Sequence, residues 1–572
     1  MGVDTSLMVG GEAGQGVQAA GFIIAKALAR HGLSVFADQD YESRVRGGHN
    51  FFRVRAADSE VRAISETQDI LVALDRQSID LHRAEVRAGG AVIFDRDAVG
   101  EPYQGNGLLG LPLERAALEA AGNRRSANMV AVGAAMALLG YDVAALQSVV
   151  LEYFGGGNAG QGNAAAAARG HELAGASSLP GPGPQLKAGG GARRMLLNGN
   201  EAVALGALAA GCRFVSAYPM TPSTTIMEYM AEKAADLGVL VVQPEDEIAA
   251  VNMVVGAAYA GVRAMTATSG GGFCLMVEGL GLAGMTETPV VIVDGQRAGP
   301  AIGLPTRTEQ GDLLFALHAS HGDFPRVVLA PADVEDAFWL TVKAFNLAEH
   351  YQLPAVVLTD QYLASSYATA EKFDLAAVEI RRGELLGGTG PSQPAPYRRY
   401  EITPSGISPR AFPGLSTALV VADSDEHDEE GHLIEDAATR TAMMAKRQRK
   451  LKGLAGEMSG PRTYGPAGAD ITLIGWGSTL GALREAVDVA GRDGLSVNLV
   501  HFGEIWPFPA EAANRALEGA RRTFTVESNA TGQFASLLRA ETGHRVSGSI
   551  LRFDGRPFAP AAIVGQLRKE VA

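Results

Sequence analysis

Cysteine is almost absent from this chain. Its 572 residues include two, Cys212 and Cys274. An iron–sulfur cluster needs about four thiolates, so the chain cannot hold one alone. Two cysteines give no disulfide framework either, which suits a reducing compartment. Positive charge is also short: 49 Lys and Arg against 63 Asp and Glu leave a net charge of -14. That balance argues against nucleic acid or an anionic membrane surface as a partner. No run of ~18 apolar residues occurs, and no basic stretch followed by an apolar one opens the sequence. A cytoplasmic protein is expected.

Glycine, by contrast, is plentiful at 71 residues, with no G-X-Y period, which points to tight turns and close helix packing. Hydrophobic residues make up 47% and charged residues 20%, ordinary for a globular chain with a large core. The length implies several domains of roughly 100–200 residues each.

The informative stretch is 214–307. It holds Tyr218-Pro219-Met220-Thr221-Pro222-Ser223, then Glu245-Asp246-Glu247, then Thr268-Ser269-Gly270-Gly271-Gly272, then Asp294-Gly295-Gln296-Arg297. Each cluster follows a short apolar run rich in β-branched residues: 213–217, 239–243, 263–268 and 289–293. Helix-length segments separate them, at 223–235, 247–260 and 272–285. This alternation predicts parallel βαβ units. Ligands of such sheets bind outside the carboxyl ends of the strands, so Thr221, Glu247, Ser269 and Arg297 are expected around one crevice. Two more strands are expected, at 326–330 and 355–359.

Residues 1–175 read as another α/β domain: a strand at 6–10, a glycine loop Gly11-Glu12-Ala13-Gly14-Gln15-Gly16, a helix at 17–31 and a strand at 34–37. The loop suits either a tight turn or a phosphate on the helix N-terminus. Its G-x-x-G-x-G spacing is not the dinucleotide pattern, although Asp38 and Asp40 would suit a ribose hydroxyl. The basic loop Arg44-Val45-Arg46-Gly47-Gly48-His49 suits a phosphorylated ligand, a partner subunit or solvent. Residues 176–192 are a Pro/Gly linker. After 193–375 comes an irregular polar insertion, 376–460. It contains Asp423-Ser424-Asp425-Glu426-His427-Asp428-Glu429-Glu430-Gly431-His432 and a basic helix through Lys446, Arg447, Arg449 and Lys450. Its histidines and carboxylates suggest either a metal or an acidic surface loop facing that helix. Residues 461–572 form a last α/β domain, with strands at 470–475, 496–501 and 522–527 and a helix over 480–489.

The motif Tyr218 to Ser223, with Glu247 heading a small-residue helix and Arg297 after a later strand, resembles the 2-oxoacid:ferredoxin oxidoreductase family. The likeness extends to Gly11–Gly16 and Arg46-Gly47-Gly48-His49 in a gamma-type domain. Arg399-Tyr400-Glu401-Ile402-Thr403, Gly406-Ile407-Ser408-Pro409-Arg410 and Asp423 to His432 look typical of the branch acting on 2-oxoglutarate. The resemblance implies an α/β fold with three parallel-sheet domains: gamma-type, thiamine-pyrimidine-binding and transketolase C-terminal-like. It implies thiamine diphosphate as cofactor and CoA as co-substrate. It makes Glu247 the carboxylate beside the pyrimidine ring, by its spacing to Gly256, with Glu245 as the rival. Tyr218, Pro219, Ser269 and Gly270 would line the cofactor. Thr221 and Arg297 would bind the 2-oxoacid, and Arg307 a second carboxylate. Each has a plainer reading: a helix-terminal carboxylate for Glu247, an N-cap for Thr221, a helix-start turn for Ser269 and Gly270, an ion pair for Arg297. Gly14, Gly16 and Arg46 are weaker candidates for CoA or phosphate.

No G-D-G followed by paired asparagines is present, so the diphosphate and Mg²⁺ half of the site is missing, as are the thiols of a 4Fe-4S cluster. A beta subunit is expected to supply both in an αβ or (αβ)₂ assembly that reduces ferredoxin, with no metal in this chain. The expected reaction converts 2-oxoglutarate and CoA to succinyl-CoA and CO₂, or the reverse. The rivals are the same chemistry on pyruvate or a branched 2-oxoacid, and a scaffold subunit without a catalytic role.

Overall fold

The computed structural model describes residues 2–43, 47–99, 103, 105–177, 179–183, 185–186, 194–386, 397–415 and 418–571. Within them the chain divides into two compact units. One comprises residues 1–198, 365–372 and 559–562; the other comprises 199–364, 373–558 and 563–572. Of the expected linker, positions 178, 184 and 187–192 lie outside the described residues. Among the described residues no helix is long and apolar enough to cross a membrane.

The first unit is built on an eight-stranded sheet. Its opening strand, Asp4–Glu12, is longer than the sequence indicates and takes in Gly11 and Glu12 of the glycine loop. The expected parallel arrangement holds for Asp4–Glu12, Gln68–Ala73, Val86–Asp95 and Leu108–Leu111. The other half of the sheet is antiparallel. His49–Ala57 lies between Asp4–Glu12 and Ser34–Asp40 and runs against both. Tyr367–Ala370 and Met195–Asn198 extend the edge, again antiparallel. The strand wedged between the first two removes the βαβ crossover that dinucleotide binding needs. Asp38 is also occupied: Arg53 Nε donates to it at 2.8 Å.

The second unit contains two sheets. The larger runs Glu504–Trp506, Val327–Leu329, Pro354–Asp360, Val290–Gln296, Ala264–Thr268, Phe214–Ser216, Leu240–Val242. Every neighbouring pair is parallel except the first, an antiparallel edge. All six strands expected from the β-branched runs are present. Helices Thr224–Leu237, Glu247–Tyr259 and Gly270–Met285 connect them. The smaller sheet runs Arg462–Tyr464, Val497–Phe502, Ile471–Trp476, Arg522–Glu527, Gly548–Leu551, parallel but for its first pair. One core joins the two sheets: Ile292, Val356, Phe273 and Leu313 from the larger sheet and its helices meet Trp476, Phe502 and Phe534 from the smaller sheet and its helices.

The insertion departs from the expected surface arrangement. Helix Ala437–Glu457 packs inward by its cations, so Lys446, Arg447 and Lys450 are buried. Lys446 Nζ donates to Glu287 at 2.6 Å, and Lys450 pairs with the same carboxylate. The two ammonium groups and Arg399 outweigh the burial of Glu287 and hold it far below the usual carboxylate range. Glu426 is gripped by Arg447 at 3.0 and 2.7 Å. His427 is fully buried, its ring centroid 4.0 Å from that of Tyr400, while His432 is exposed. Arginine, lysine and aromatic partners therefore account for this stretch. No group of three metal-ligating side chains occurs among the described residues.

Candidate functional site

The carboxyl ends of the parallel strands in the larger sheet are tied together by short contacts. The turn after Phe214–Ser216 carries Tyr218 to Ser223, with a cis peptide between Thr221 and Pro222. Ser223 donates its hydroxyl to the Thr268 carbonyl, at the end of the next strand in the sheet. Arg297 Nη1 donates to the Thr221 carbonyl at 2.8 Å. Asn200 Nδ2 donates to Pro222 O at 2.8 Å and to Thr225 Oγ1 at 2.7 Å. A side chain at Gly295 would collide with Ser223 and Pro222, so the turn rests directly on the strand end.

Helix Glu247–Tyr259 is started by Asp246, whose carboxylate accepts from Ala249 N–H at 2.7 Å. With that task taken, Glu247 is free of capping. It is 3% exposed, whereas Glu245 is exposed. Its Oε1 is buried and accepts no hydrogen bond. A buried, unsatisfied carboxylate oxygen costs free energy that a native fold seldom leaves uncompensated. A Cβ at Gly272 would lie 2.7 Å from that oxygen, so the absence of a side chain there is what makes room for Glu247. Ser269, fully buried at the start of helix Gly270–Met285, likewise has a hydroxyl without a partner.

Arg297 directly follows strand Val290–Gln296 and is half-buried. Desolvation lowers its pKa from the usual arginine value, partly offset by Asp312. Arg307 lies ten positions on, its Cβ 2.8 Å from where a Gly555 side chain would begin. The loop between them closes through Ala298 N–H to Arg307 O at 3.2 Å and Leu304 N–H to Ala298 O at 2.8 Å. The following segment is pinned by Gln310, which donates to Trp476 O and accepts from Ser528 N–H, each at 3.0 Å.

Of the expected residues, Thr221, Ser269, Gly270, Glu247 and Arg297 are thus gathered at one set of strand ends. Pro219 is half-buried and Tyr218 is 38% exposed. Thr221 is not an N-cap; that position belongs to Ser223. Gly14 and Gly16 lie in the first unit. Gly16, at φ 77°, is needed for its close approach to Asn128, whose Nδ2 donates to its carbonyl at 3.3 Å. Arg46 lies outside the described residues.

Sequence reasoning missed Asn200, Gly272 and Asp312. It gave no role to Asp294, whose signal was available: a carboxylate directly after the apolar run Val290-Val291-Ile292-Val293 stands where a parallel strand is still covered on its faces. Asp312 follows no motif and is found only from the fold.

Comparison with known proteins covers the whole chain. A family model described as "Pyruvate flavodoxin/ferredoxin oxidoreductase, thiamine diP-bdg" matches residues 205–446. "Pyruvate ferredoxin/flavodoxin oxidoreductase" matches 6–173 and "Pyruvate:ferredoxin oxidoreductase core domain II" matches 469–563. The 2-oxoacid:ferredoxin oxidoreductase 2, subunit alpha, of Aeropyrum pernix is 34% identical over 99% of this chain and 98% of its own length. The 2-oxoglutarate synthase subunit KorA of Methanothermobacter marburgensis is 36% identical over 65% of this chain and 97% of its own. The solved 2-oxoglutarate:ferredoxin oxidoreductase from Magnetococcus marinus, with 2-oxoglutarate, coenzyme A and succinyl-CoA bound, superposes over 100% of both chains. Its TM-score is 0.91 at 35% identity.

Proposed function

The chain belongs to the 2-oxoacid:ferredoxin oxidoreductase family, and on that premise we propose that it is the alpha subunit of an enzyme that oxidatively decarboxylates 2-oxoglutarate. With CoA the products would be succinyl-CoA and CO₂, with electrons passing to ferredoxin; the reverse carboxylation is open to the same machinery.

The observation that carries the reading is the Glu247 oxygen, buried and unpartnered beside Gly272. Its surroundings fit an aminopyrimidine ring, since a ring nitrogen would complete the missing hydrogen bond. Ser269 and Gly270 stand at the same strand ends and would line the cofactor, with Tyr218 and Pro219 from the neighbouring turn. Thiamine diphosphate, when bound, supplies the nucleophilic carbon and the electron sink for loss of CO₂. Glu247 would hold or release a proton at the pyrimidine nitrogen. Arg297 would receive the substrate 1-carboxylate, for which a guanidinium offers paired donors. Thr221 would donate its hydroxyl to the oxo or carboxylate oxygen, and Arg307 would meet the second carboxylate of a five-carbon diacid.

The diphosphate, Mg²⁺ and 4Fe-4S sites fall to a beta subunit in this proposal. Helix Glu247–Tyr259 turns Ile248, Met253 and Gly256 to solvent around Asn252, a largely apolar face beside the site where such a partner would pack. The test is turnover of the reconstituted complex on 2-oxoglutarate and pyruvate side by side. We expect 2-oxoglutarate to be preferred in kcat/KM. Arg297→Ala should raise KM and lower kcat/KM by roughly 2–5 kcal/mol, with thiamine diphosphate affinity little changed. Unaltered kinetics would remove Arg297 from the mechanism and favour a scaffold.

A further inference from the structure

Asp294 and Asp312 form a second acidic group at the same strand ends. Asp294 lies in strand Val290–Gln296 opposite Thr268 on one neighbour and Leu358 on the other. It is fully buried, and neither carboxyl oxygen has a hydrogen-bond partner. Asp312 is brought to it by Gln296, two residues on, whose Oε1 accepts from Asp312 N–H at 3.0 Å. The Asp312 carboxylate lies against Gly270, in space that any side chain there would fill. The charged and titratable groups that act on the pair are Arg297 at the strand end, Glu309 in the preceding loop and Cys274 in helix Gly270–Met285.

Two carboxylates cannot both ionise cheaply in such a place. Burial raises the pKa of Asp294 well above the ordinary range, and the neighbouring Asp312 raises it further. Burial also raises that of Asp312, while Arg297 pulls it back down. The two titrate as a pair. With one proton on the pair, a single negative charge remains near enough to act on the single positive charge of Arg297. The guanidinium is then balanced before any substrate arrives. An incoming carboxylate adds a second negative charge, which favours a second proton on the pair.

We infer that Asp312, backed by Asp294, is a positioning residue for Arg297, and that binding of an anionic 2-oxoacid is coupled to uptake of one proton from solvent by this pair. The proton gained restores neutrality: two neutral carboxyls, one guanidinium, one substrate carboxylate. The inference deepens the proposed function and rests on Arg297 receiving the substrate carboxylate.

Linkage sets the sign of the effect. Binding takes up a proton, so affinity falls as pH rises, and log KM for the 2-oxoacid climbs with a slope approaching one per pH unit. In the assembled complex, KM is measured for 2-oxoglutarate across pH about 5.5 to 8, the range in which raised carboxyls titrate. Asp312→Asn should flatten that profile and lower KM at the alkaline end by roughly tenfold, one pKa unit's worth. Asp294→Asn, which relieves Asp312 of its neighbour, should move the rise to lower pH. A purely structural role would change stability or kcat and leave the slope in place, so a parallel profile in Asp312→Asn overturns the inference. A measurement on the unmutated complex stands independently of whether the variants fold. Calorimetric binding of N-oxalylglycine, a non-decarboxylating isostere, in buffers of differing ionisation enthalpy should show net proton uptake near neutral pH, and zero uptake overturns the coupling. If Arg297→Ala leaves KM unchanged, the function reading fails. If it raises KM while the Asp312→Asn slope persists, only the coupling fails.

Discussion

At the scale of residues, Glu247 and its neighbour Glu245 show what burial decides. Both precede or open one helix, yet only Glu247 is shielded from water, with one oxygen left unsatisfied. Glu247→Gln keeps the shape and one hydrogen bond but cannot exchange a proton. We expect the complex to stay folded and kcat to fall by about 10²–10⁴-fold, the usual cost of losing a general acid–base group. Substrate binding, which the proposed function assigns to Thr221 and Arg297, should largely survive. Hydrogen–deuterium exchange at the thiazolium C2 of bound cofactor is the direct measurement. Exchange at the wild-type rate would exonerate Glu247, and Glu245 would be the next residue to test.

At the scale of elements, the site depends on how closely helices Glu247–Tyr259 and Gly270–Met285 approach. Gly272 is the contact that permits it, since a methyl there would press on both Glu247 and Thr268. Gly279 plays the same part about two turns later, against Val251. Gly272→Ala should destabilise the chain by about 1–3 kcal/mol, the usual range for overpacking. It should also lower activity by displacing Glu247. Thermal melting and turnover would be measured together; an alanine variant with unchanged Tm and kcat would mean that the helices separate at no cost. Helix Ala437–Glu457 illustrates the opposite packing. Its buried face places Lys446, Arg447 and Lys450 between Met443 and Leu454, with the cations docked on Glu287 and Glu426, a pattern that no apolar stripe marks in the sequence.

At the scale of the whole molecule, the proposed function makes the chain one half of an active site. Its cysteines are one buried and one exposed. The purified single chain should bind no iron or acid-labile sulfide and oxidise no 2-oxoacid; stoichiometric iron would contradict the division of labour with a beta subunit. Stability should also respond to acid. His501 is fully buried, with Nε2 hydrogen-bonded to Gly477 O at 3.0 Å, and burial depresses its pKa to about 3. The unfolded chain protonates this residue near pH 6.5 while the fold resists it. The stabilisation it provides is therefore present above about pH 6.5 and lost as pH falls towards 3, at up to about 1.4 kcal/mol per unit. His501→Gln should flatten that part of the profile of Tm against pH; an unchanged slope would assign the acid sensitivity to other groups.

The strands and helices around the site were legible in the sequence because each β-branched run is followed by a turn cluster and a helix of ordinary length. Periodicity of that kind is local, and it survives without knowledge of the fold. It was enough to place Thr221, Glu247, Ser269 and Arg297 at strand ends, and cysteine count with the missing G-D-G pattern pointed to a partner. What the tertiary structure alone decided depends on contacts between residues far apart in the chain. His49–Ala57 enters the first sheet antiparallel, between two strands that local pattern made neighbours. Asp312 is drawn towards Asp294 by Gln296, and Lys446 and Lys450 turn inward onto Glu287, which lies more than a hundred residues earlier in the chain. The patterns that reveal strands and helices extend only a few residues, whereas charge pairing and close backbone approach are settled by whichever surfaces the fold brings together.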